Sequence, residues 1–383
     1  MWSPQHFIEA GLARGIDEAL LERASNEIET FVAHNAQLPA LLTLGHLAQR
    51  TRSDYQELRG LIGTSRQSSY HHFRIRKRSG GHRLISVPDQ QLMIVQRWIN
   101  AHILNLLPVH HCSFAFKPKS SIVGCAAQHC GARWLIKMDV SGFFGSISEI
   151  QVYRVFRSAG YQPLIAFELA RLTTYIFPKS SRYSKPTWQA RDGSNPIAAY
   201  ANQKIGCLPQ GAPTSPMLSN LIMRECDAQI NEIAVKRGVR YTRYSDDITF
   251  STRKEFDRKQ AKALIHEVSR VLKKIGFRPN SQKTVVAPPG SRKIVLGLLV
   301  DGIRPRLSRE FRSRLRQHLY YLELFGATAH AKRRGFDSIW GMYNHIRGQI
   351  DFAKMVDSKF ASVMRIKLDN VSWPSELSSG SSA

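Results

Sequence analysis

The sequence is short of acidic residues, of cysteine and of long apolar runs, and each shortage excludes something. Of its 383 residues 29 are Asp or Glu, against 55 Lys or Arg, a formal charge of +26. A balance this basic calls for a densely negative partner, and nucleic acid is the commonest. On charge alone, the alternatives are plain solubility or attachment to a membrane surface. The basic residues are spread along the whole chain, which suits a long groove better than a tail. The five cysteines, Cys112, Cys125, Cys130, Cys207 and Cys226, are odd in number and include no CxxC pair. That argues against a disulfide framework and fits a reducing cytoplasm. His110, His111, Cys112, Cys125, His129 and Cys130 cluster in sequence without the short paired spacings of a zinc site, so a site near Cys125 and Cys130 stays open. No run reaches the roughly 18 apolar residues of a membrane span. The opening residues, with His6, Glu9 and Arg14, lack the charged head and apolar core of a secretory signal.

What is present is patterned. Pro4 to Leu61 reads as helical, with Ile8, Leu12, Ile16, Leu20 and Leu21 at helical spacing and further helices at Leu38 to Ala48 and Thr51 to Ile62. His72 to Ile75 alternates as a strand, Arg76 to Gly81 is a basic turn, and His82 to Pro88 returns. An amphipathic helix follows from Gln91 to Leu107, then a short strand from Trp134 to Asp139 and a helix from about Gln151 to Ile176. Pro178 to Lys204 is polar and reads as a long loop or insertion. Further on come a helix from Pro216 to Lys236, a strand-turn-strand from Arg240 to Thr252, a helix from Phe256 to Ile275 stopped by Gly276, and a strand from Ile294 to Val300. Ser308 to Arg365 is helical and basic; Leu307, Phe311, Leu315, Leu319 and Leu322 form a stripe, with Arg309, Arg312, Arg314 and Arg316 largely off it. The Ser- and Gly-rich tail after Trp373 is expected to be disordered.

Three features carry chemistry. Tyr244-Ser245-Asp246-Asp247 sits between two strand-like runs, and adjacent carboxylates at a hairpin tip repel unless a cation joins them; Asx residues also favour turns for backbone reasons. Asp139 closes an apolar strand, where it can cap a helix or supply a third carboxylate to the hairpin pair. Three carboxylates on neighbouring strands suit two hard divalent cations that clamp the attacking and leaving oxygens of an in-line displacement. In Leu208-Pro209-Gln210-Gly211-Ala212-Pro213-Thr214-Ser215-Pro216, Pro and Gly stiffen a turn and small residues permit close approach of a nucleotide or template base.

Together these strings resemble the reverse-transcriptase family. Asp139-Val140-Ser141-Gly142-Phe143-Phe144 resembles its first palm motif, the Leu-Pro-Gln-Gly string its second, and Tyr244-Ser245-Asp246-Asp247 its YxDD hairpin. Asn280 to Thr284 and Ile294 to Gly297 resemble later palm motifs, and the hairpin ending Gly80-Gly81-His82-Arg83 resembles the fingers element. The likeness runs in order from about Tyr70 to Val300. It implies an α+β right-hand polymerase fold with fingers, an antiparallel-sheet palm and a helical thumb. It implies two Mg²⁺ ions on Asp139, Asp246, Asp247 and the Val140 carbonyl. Lys77 and Arg83 would meet the incoming triphosphate, Gln210 the nucleotide or template, Phe144 the sugar as a gate against a ribose 2′-OH, and Lys283 the pyrophosphate. A primer hydroxyl would attack the α-phosphate of a dNTP. The implied units are an N-terminal helical segment (1–65), fingers (66–130), palm (131–303, with an insertion near 178–206), thumb (304–372) and tail (373–383).

Chain length, the N-terminal helices and the fingers hairpin look most like retron reverse transcriptases, with no added endonuclease, RNase H or maturase-like unit. Those enzymes copy a structured non-coding RNA into a branched RNA–DNA molecule, msDNA, and act in anti-phage defence, with a possible effector or toxin protein as partner. Where the retron family has Asn-Ala-x-x-His, this chain has Cys125-Ala126-Ala127-Gln128-His129, and Val-Thr-Gly is here Val295-Leu296-Gly297. The resemblance implies that Ala126 and His129 serve RNA recognition and that Arg309, Arg312 and Arg316 grip an RNA–DNA hybrid from the thumb. A defence-associated reverse transcriptase that makes no msDNA, a catalytically inactive RNA-binding scaffold and, more weakly, a group II intron maturase are the alternatives; intact Asp139, Asp246 and Asp247 speak for an active enzyme.

Overall fold

A computed structural model describes residues 3–63, 69–76, 80–176 and 205–374. The chain opens with helices α1 (Pro4–Leu12), α2 (Glu18–His34), α3 (Leu44–Thr51) and α4 (Tyr55–Ile62). Asp17, Thr43 and Asp54 cap α2, α3 and α4 by accepting the backbone N–H three residues on. Helix α3 therefore starts at Leu44 and not at Leu38, because Thr43 is extended so that its hydroxyl can cap. Strands β1 (Tyr70–Arg76) and β2 (His82–Pro88) pair antiparallel, followed by α5 (Gln90–His102), which ends earlier than expected in a 3₁₀ turn at Leu104–Leu106. Next come α6 (Ile122–Ala127), β3 (Trp134–Ser141), α7 (Glu149–Ser158) and α8 (Pro163–Thr173). The single helix expected from 151 to 176 is broken because Gly160 takes a φ of +93 and Pro163 can only open a new helix.

The expected insertion falls almost wholly on 177–204, outside the described residues, as do the tail beyond 374 and Lys77. Tyr175 and Cys207 exchange backbone hydrogen bonds of 3.0 and 2.9 Å, so the chain leaves for and returns from that segment at one point. There follow α9 (Ser215–Lys236), β4 (Arg240–Tyr244), β5 (Asp247–Thr252), α10 (Arg258–Lys274), β6 (Arg278–Ala287), β7 (Ile294–Val295), β8 (Leu298–Leu299), β9 (Arg306–Leu307), α11 (Arg309–Arg334), α12 (Ile339–Lys354) and α13 (Ser358–Asp369). The strand expected from 294 to 300 is a tight hairpin, since Leu296 and Gly297 take φ of 49 and 84, the paired positive values of a primed turn.

The central sheet has the order β4-β5-β3-β6, and every neighbouring pair is antiparallel. Side chains alternate across it. Ile136, Met138 and Val140 of β3 face one way and share the main core with Ile248, Phe250 and Tyr241. Helices α9 and α10 pack on each other and against β4 and β6, and α3 and α4 reach the same core through Leu44, Leu47, Leu58 and Ile62. Leu135 faces the other way and joins a second core made by β7, β8, β9 and α11 to α13, where Leu315, Leu319 and Leu322 are buried as the stripe requires. Lys137, Asp139 and Asp247 lie on this second face beyond that core, beside a half-exposed Val285. Periodicity thus places the acids where a ligand can reach them. Among the described residues no helix is long and apolar enough to cross a membrane.

Candidate active site

Asp139 and Asp247 are register partners on β3 and β5, so their side chains leave the same face of the sheet side by side. Asp246 stands at the turn between β4 and β5. That turn is tight: Tyr244 pairs with Asp247, and Ser245 takes a φ of 58, which few residues other than glycine adopt. The Val140 N–H donates to the Asp246 carbonyl at 3.2 Å and ties the turn to the strand that bears Asp139.

Electrostatics here are uncomfortable. Burial, then the charge of Asp139, push the Asp246 carboxyl above its ordinary range, although its own backbone and the Ser245 hydroxyl pull the other way. Burial, then Asp246, do the same to Asp247. Asp139 has cationic company: Lys283 Nζ lies 2.9 Å from its Oδ1, and Asn280 Nδ2 donates to its Oδ2 at 3.3 Å. Lys283 can reach because β6 bulges. Lys137 pairs with Val285, yet Asp139 pairs with Asn280, so the residues between them are looped out of register. Neighbouring oxygen donors whose negative charge is costly fit a hard divalent cation. The three carboxylates are not drawn into one tight cluster: among the described residues, the group of three potential ligand atoms within 4.8 Å of one another is His110, His111 and Cys112.

The Leu-Pro-Gln-Gly loop is docked on β2. The Ser86 N–H donates to the Gln210 carbonyl at 2.8 Å. Gly211 has a φ of +125, and a Cβ there would meet Ile85 Cγ2 at 2.9 Å and the Ser86 carbonyl oxygen at 3.0 Å. Arg83, also on β2, is exposed. Phe144 is half-buried, its ring 5.5 Å from Phe143 and 6.3 Å from Phe116, and Phe116 is in turn 6.5 Å from Tyr244. Phe116 was not singled out from the sequence; its unusual φ of 60 and 40% exposure, visible only in the fold, mark it as a partner of Phe144.

One expectation is at odds with the fold. Ala126 and His129 are buried, so neither presents a surface for direct RNA contact. His129 instead braces the hairpin, with Nδ1 2.7 Å from Ser251 Oγ on β5 and Nε2 2.7 Å from Thr242 Oγ1 on β4, and burial pushes its pKa down to about 3. Both nitrogens are thus engaged within the protein, Cys125 Sγ is directed to Thr242 and Cys130 Sγ to the Ala126 carbonyl, and among the described residues Cys125, His129 and Cys130 do not form a group of three ligand atoms within 4.8 Å. On α11, Arg312 spends part of its charge on Asp357, 2.6 Å away, and both Arg312 and Arg316 stack over Phe360. Arg309, Arg312 and Arg316 still line one surface hollow with Gln317 and Tyr320.

Comparison with known proteins agrees in kind. The family described as reverse transcriptase (RNA-dependent DNA polymerase) matches residues 75–295. The chain is 28% identical to the retron Ec86 reverse transcriptase of Escherichia coli over 339 residues, 88% of this chain and 92% of that protein. It is 30% identical to the retron Mx65 reverse transcriptase of Myxococcus xanthus over 366 residues, 93% of this chain and 79% of that one.

Proposed function

Because the chain belongs to the reverse transcriptase family, in its retron branch, and is an RNA-directed DNA polymerase that works with RNA, DNA and a divalent metal, we propose that it copies a structured partner RNA into msDNA for anti-phage defence. The observation that supports this most is the pairing of Asp139 with Asp247 on adjacent strands, with Asp246 at the turn beside them. In this reading Asp139, Asp246, Asp247 and the Val140 carbonyl hold two Mg²⁺ ions. Bound there, the ions supply Lewis acidity at the attacking and leaving oxygens.

The chain's own residues do the positioning. Residues 66–130 act as fingers, 131–303 as palm and 304–372 as thumb. Arg83 and Lys77 neutralise the triphosphate of the dNTP. Gln210, on a loop stiffened against β2, sets the template and nucleotide. Lys283 exchanges Asp139 for the departing pyrophosphate. Arg309 and Arg316 grip backbone phosphates of the RNA–DNA hybrid, recognised by shape and 2′-OH groups more than by sequence. An effector protein is the further partner this role entails.

Phe144 gates the sugar, so Phe144→Ala is expected to narrow the preference for dNTP over NTP by about 100-fold, the order of discrimination a pocket wall gives against one hydroxyl. Single-nucleotide incorporation with dGTP and GTP measures it, and an unchanged ratio removes Phe144 from that role. Arg309→Ala with Arg316→Ala is expected to weaken primed-template binding evenly across sequences and to lower the slope of log affinity against log salt by about 1 per lost phosphate contact. A salt titration of binding checks this; an unchanged slope means these arginines face solvent. The reading as a whole is tested by extending a DNA primer on an RNA template with dNTPs and Mg²⁺. Extension is expected from the intact chain and not from Asp246→Asn, Asp247→Asn, whereas no extension from either protein would favour a scaffold.

A further inference from the structure

Directly beneath the aspartate turn lies a fully buried arginine that none of the roles above uses. Arg243, on β4, has no exposure to solvent, and neither does its partner Asp227 on α9. Arg243 Nε and Nη2 bind the two Asp227 carboxylate oxygens at 2.8 and 2.7 Å. The other hydrogen bonds run from Nη1 to Asn220 Oδ1 at 3.1 Å, from Nη2 to Ser113 Oγ at 3.2 Å, and from Nη1 to the Ser245 carbonyl at 3.0 Å. An arginine has five N–H donors, and these bonds use all of them. The backbone of Arg243 is engaged as well, with its N–H on the Cys112 carbonyl and its carbonyl on the Phe114 N–H, both at 2.8 Å. Asn220 in turn donates to the Ala115 carbonyl at 2.7 Å, one residue before Phe116.

Burying an ion pair is costly, and an apolar pair of similar volume often holds a core as well or better. A charged group in this place is therefore best explained by something only it can do. The Ser245 carbonyl belongs to the residue with the unfavourable φ of 58, and the next two residues are Asp246 and Asp247. We propose that Arg243, oriented by Asp227, is a positioning residue for the two carboxylates: its guanidinium holds the Ser245 carbonyl and so keeps the strained turn in the one conformation that presents Asp246 and Asp247 beside Asp139. The same fork anchors α9 and the segment 112–115, which carries Phe116 toward Phe144. The inference rests on the reading of those aspartates as the metal-binding group. Lysine cannot substitute, because its ammonium has three donors and no planar fork.

Two full-length variants test it, Arg243→Lys and the charge-neutral pair Asp227→Asn, Arg243→Gln, which strands no buried charge. Each is compared with wild type for melting temperature, binding of a DNA-primed RNA template, single-turnover dNTP incorporation and its dependence on Mg²⁺ concentration. A folded variant is expected to bind the primed template as wild type does, to need more Mg²⁺ for half-maximal rate, and to incorporate about 100-fold more slowly, the scale of loss from a misplacement near 1 Å. A folded variant with wild-type rate and Mg²⁺ dependence, whatever its melting temperature, would make Arg243 a bolt of the fold and overturn the proposal. Failure of both variants to fold would do the same. If wild type itself incorporates nothing at any Mg²⁺ concentration, the polymerase reading fails first and takes this inference with it.

Discussion

Replacing Asp247 with Asn is expected to move two measurements in opposite directions: DNA synthesis falls by about 1,000-fold or more, while the metal-free protein melts at a higher temperature. The first follows if Asp247 is the oxygen ligand proposed above, since metal stabilisation of a transition state is worth several kcal/mol and each ~1.4 kcal/mol is tenfold in rate. The second follows from the raised carboxyl. Burial and the charges of Asp246 and Asp139 lift the folded-state pKa of Asp247 above its ordinary value. A carboxyl shifted in that direction favours the fold while protonated, at acid pH, and that contribution is lost as pH rises through the folded-state pKa. Ionisation of Asp247 is thus disfavoured in the folded, metal-free protein, and Asn, of like shape and no charge, removes that penalty. The gain in melting temperature should shrink as pH is lowered into the acid range, where the wild-type carboxyl protonates. Added Mg²⁺ should raise the wild-type melting temperature more than the variant's. A variant that melts lower than wild type at neutral pH would show that the carboxylates are not in conflict and would remove the electrostatic reason for a cation there.

Gly211→Ala should cost both stability and rate, because two penalties coincide. The φ of +125 strains any residue with a Cβ, and the added atom would meet the Ser86 carbonyl oxygen at 3.0 Å and Ile85 Cγ2 at 2.9 Å. Strain of this sort costs about 1–3 kcal/mol. Relief by moving the loop would break the Ser86 to Gln210 hydrogen bond and shift Gln210, with about 100-fold loss of rate for a displacement near 1 Å. Gly238→Ala is the control: its φ of +64 brings strain, but nothing lies within 4 Å of the added Cβ. It should lower the melting temperature modestly and leave incorporation intact. Equal rates for the two variants would mean that the contact of the loop with β2 has no bearing on activity.

The acids were legible in the sequence for physical reasons. Two adjacent carboxylates between strand-like runs have few structural uses, and the alternation of β3 puts Asp139 on the face opposite Ile136, Met138 and Val140. What was not legible depends on partners distant in sequence or on register. The bulge that lets Lys283 reach Asp139 is a slip between β3 and β6, and no periodicity within either strand announces it. The family resemblance assigns His129 to RNA recognition, and only the fold shows Thr242 and Ser251 closed around it. Arg243 reads as one more cation in a basic chain, and only the arrival of Asp227 from α9 makes its burial possible. Gly160 and Pro163 did carry the break between α7 and α8, but the apolar pattern on both sides read as one helix.

The most direct test is to purify the protein from its host, together with an Asp246→Asn, Asp247→Asn variant made the same way, and to sequence the nucleic acid bound to each. A discrete RNA joined to a short DNA, present with the intact chain and absent with the variant, is the expected result. DNA that depends on the carboxylates but carries no branched link to RNA would keep the polymerase and contradict the msDNA role. RNA without DNA in both preparations would contradict DNA synthesis itself.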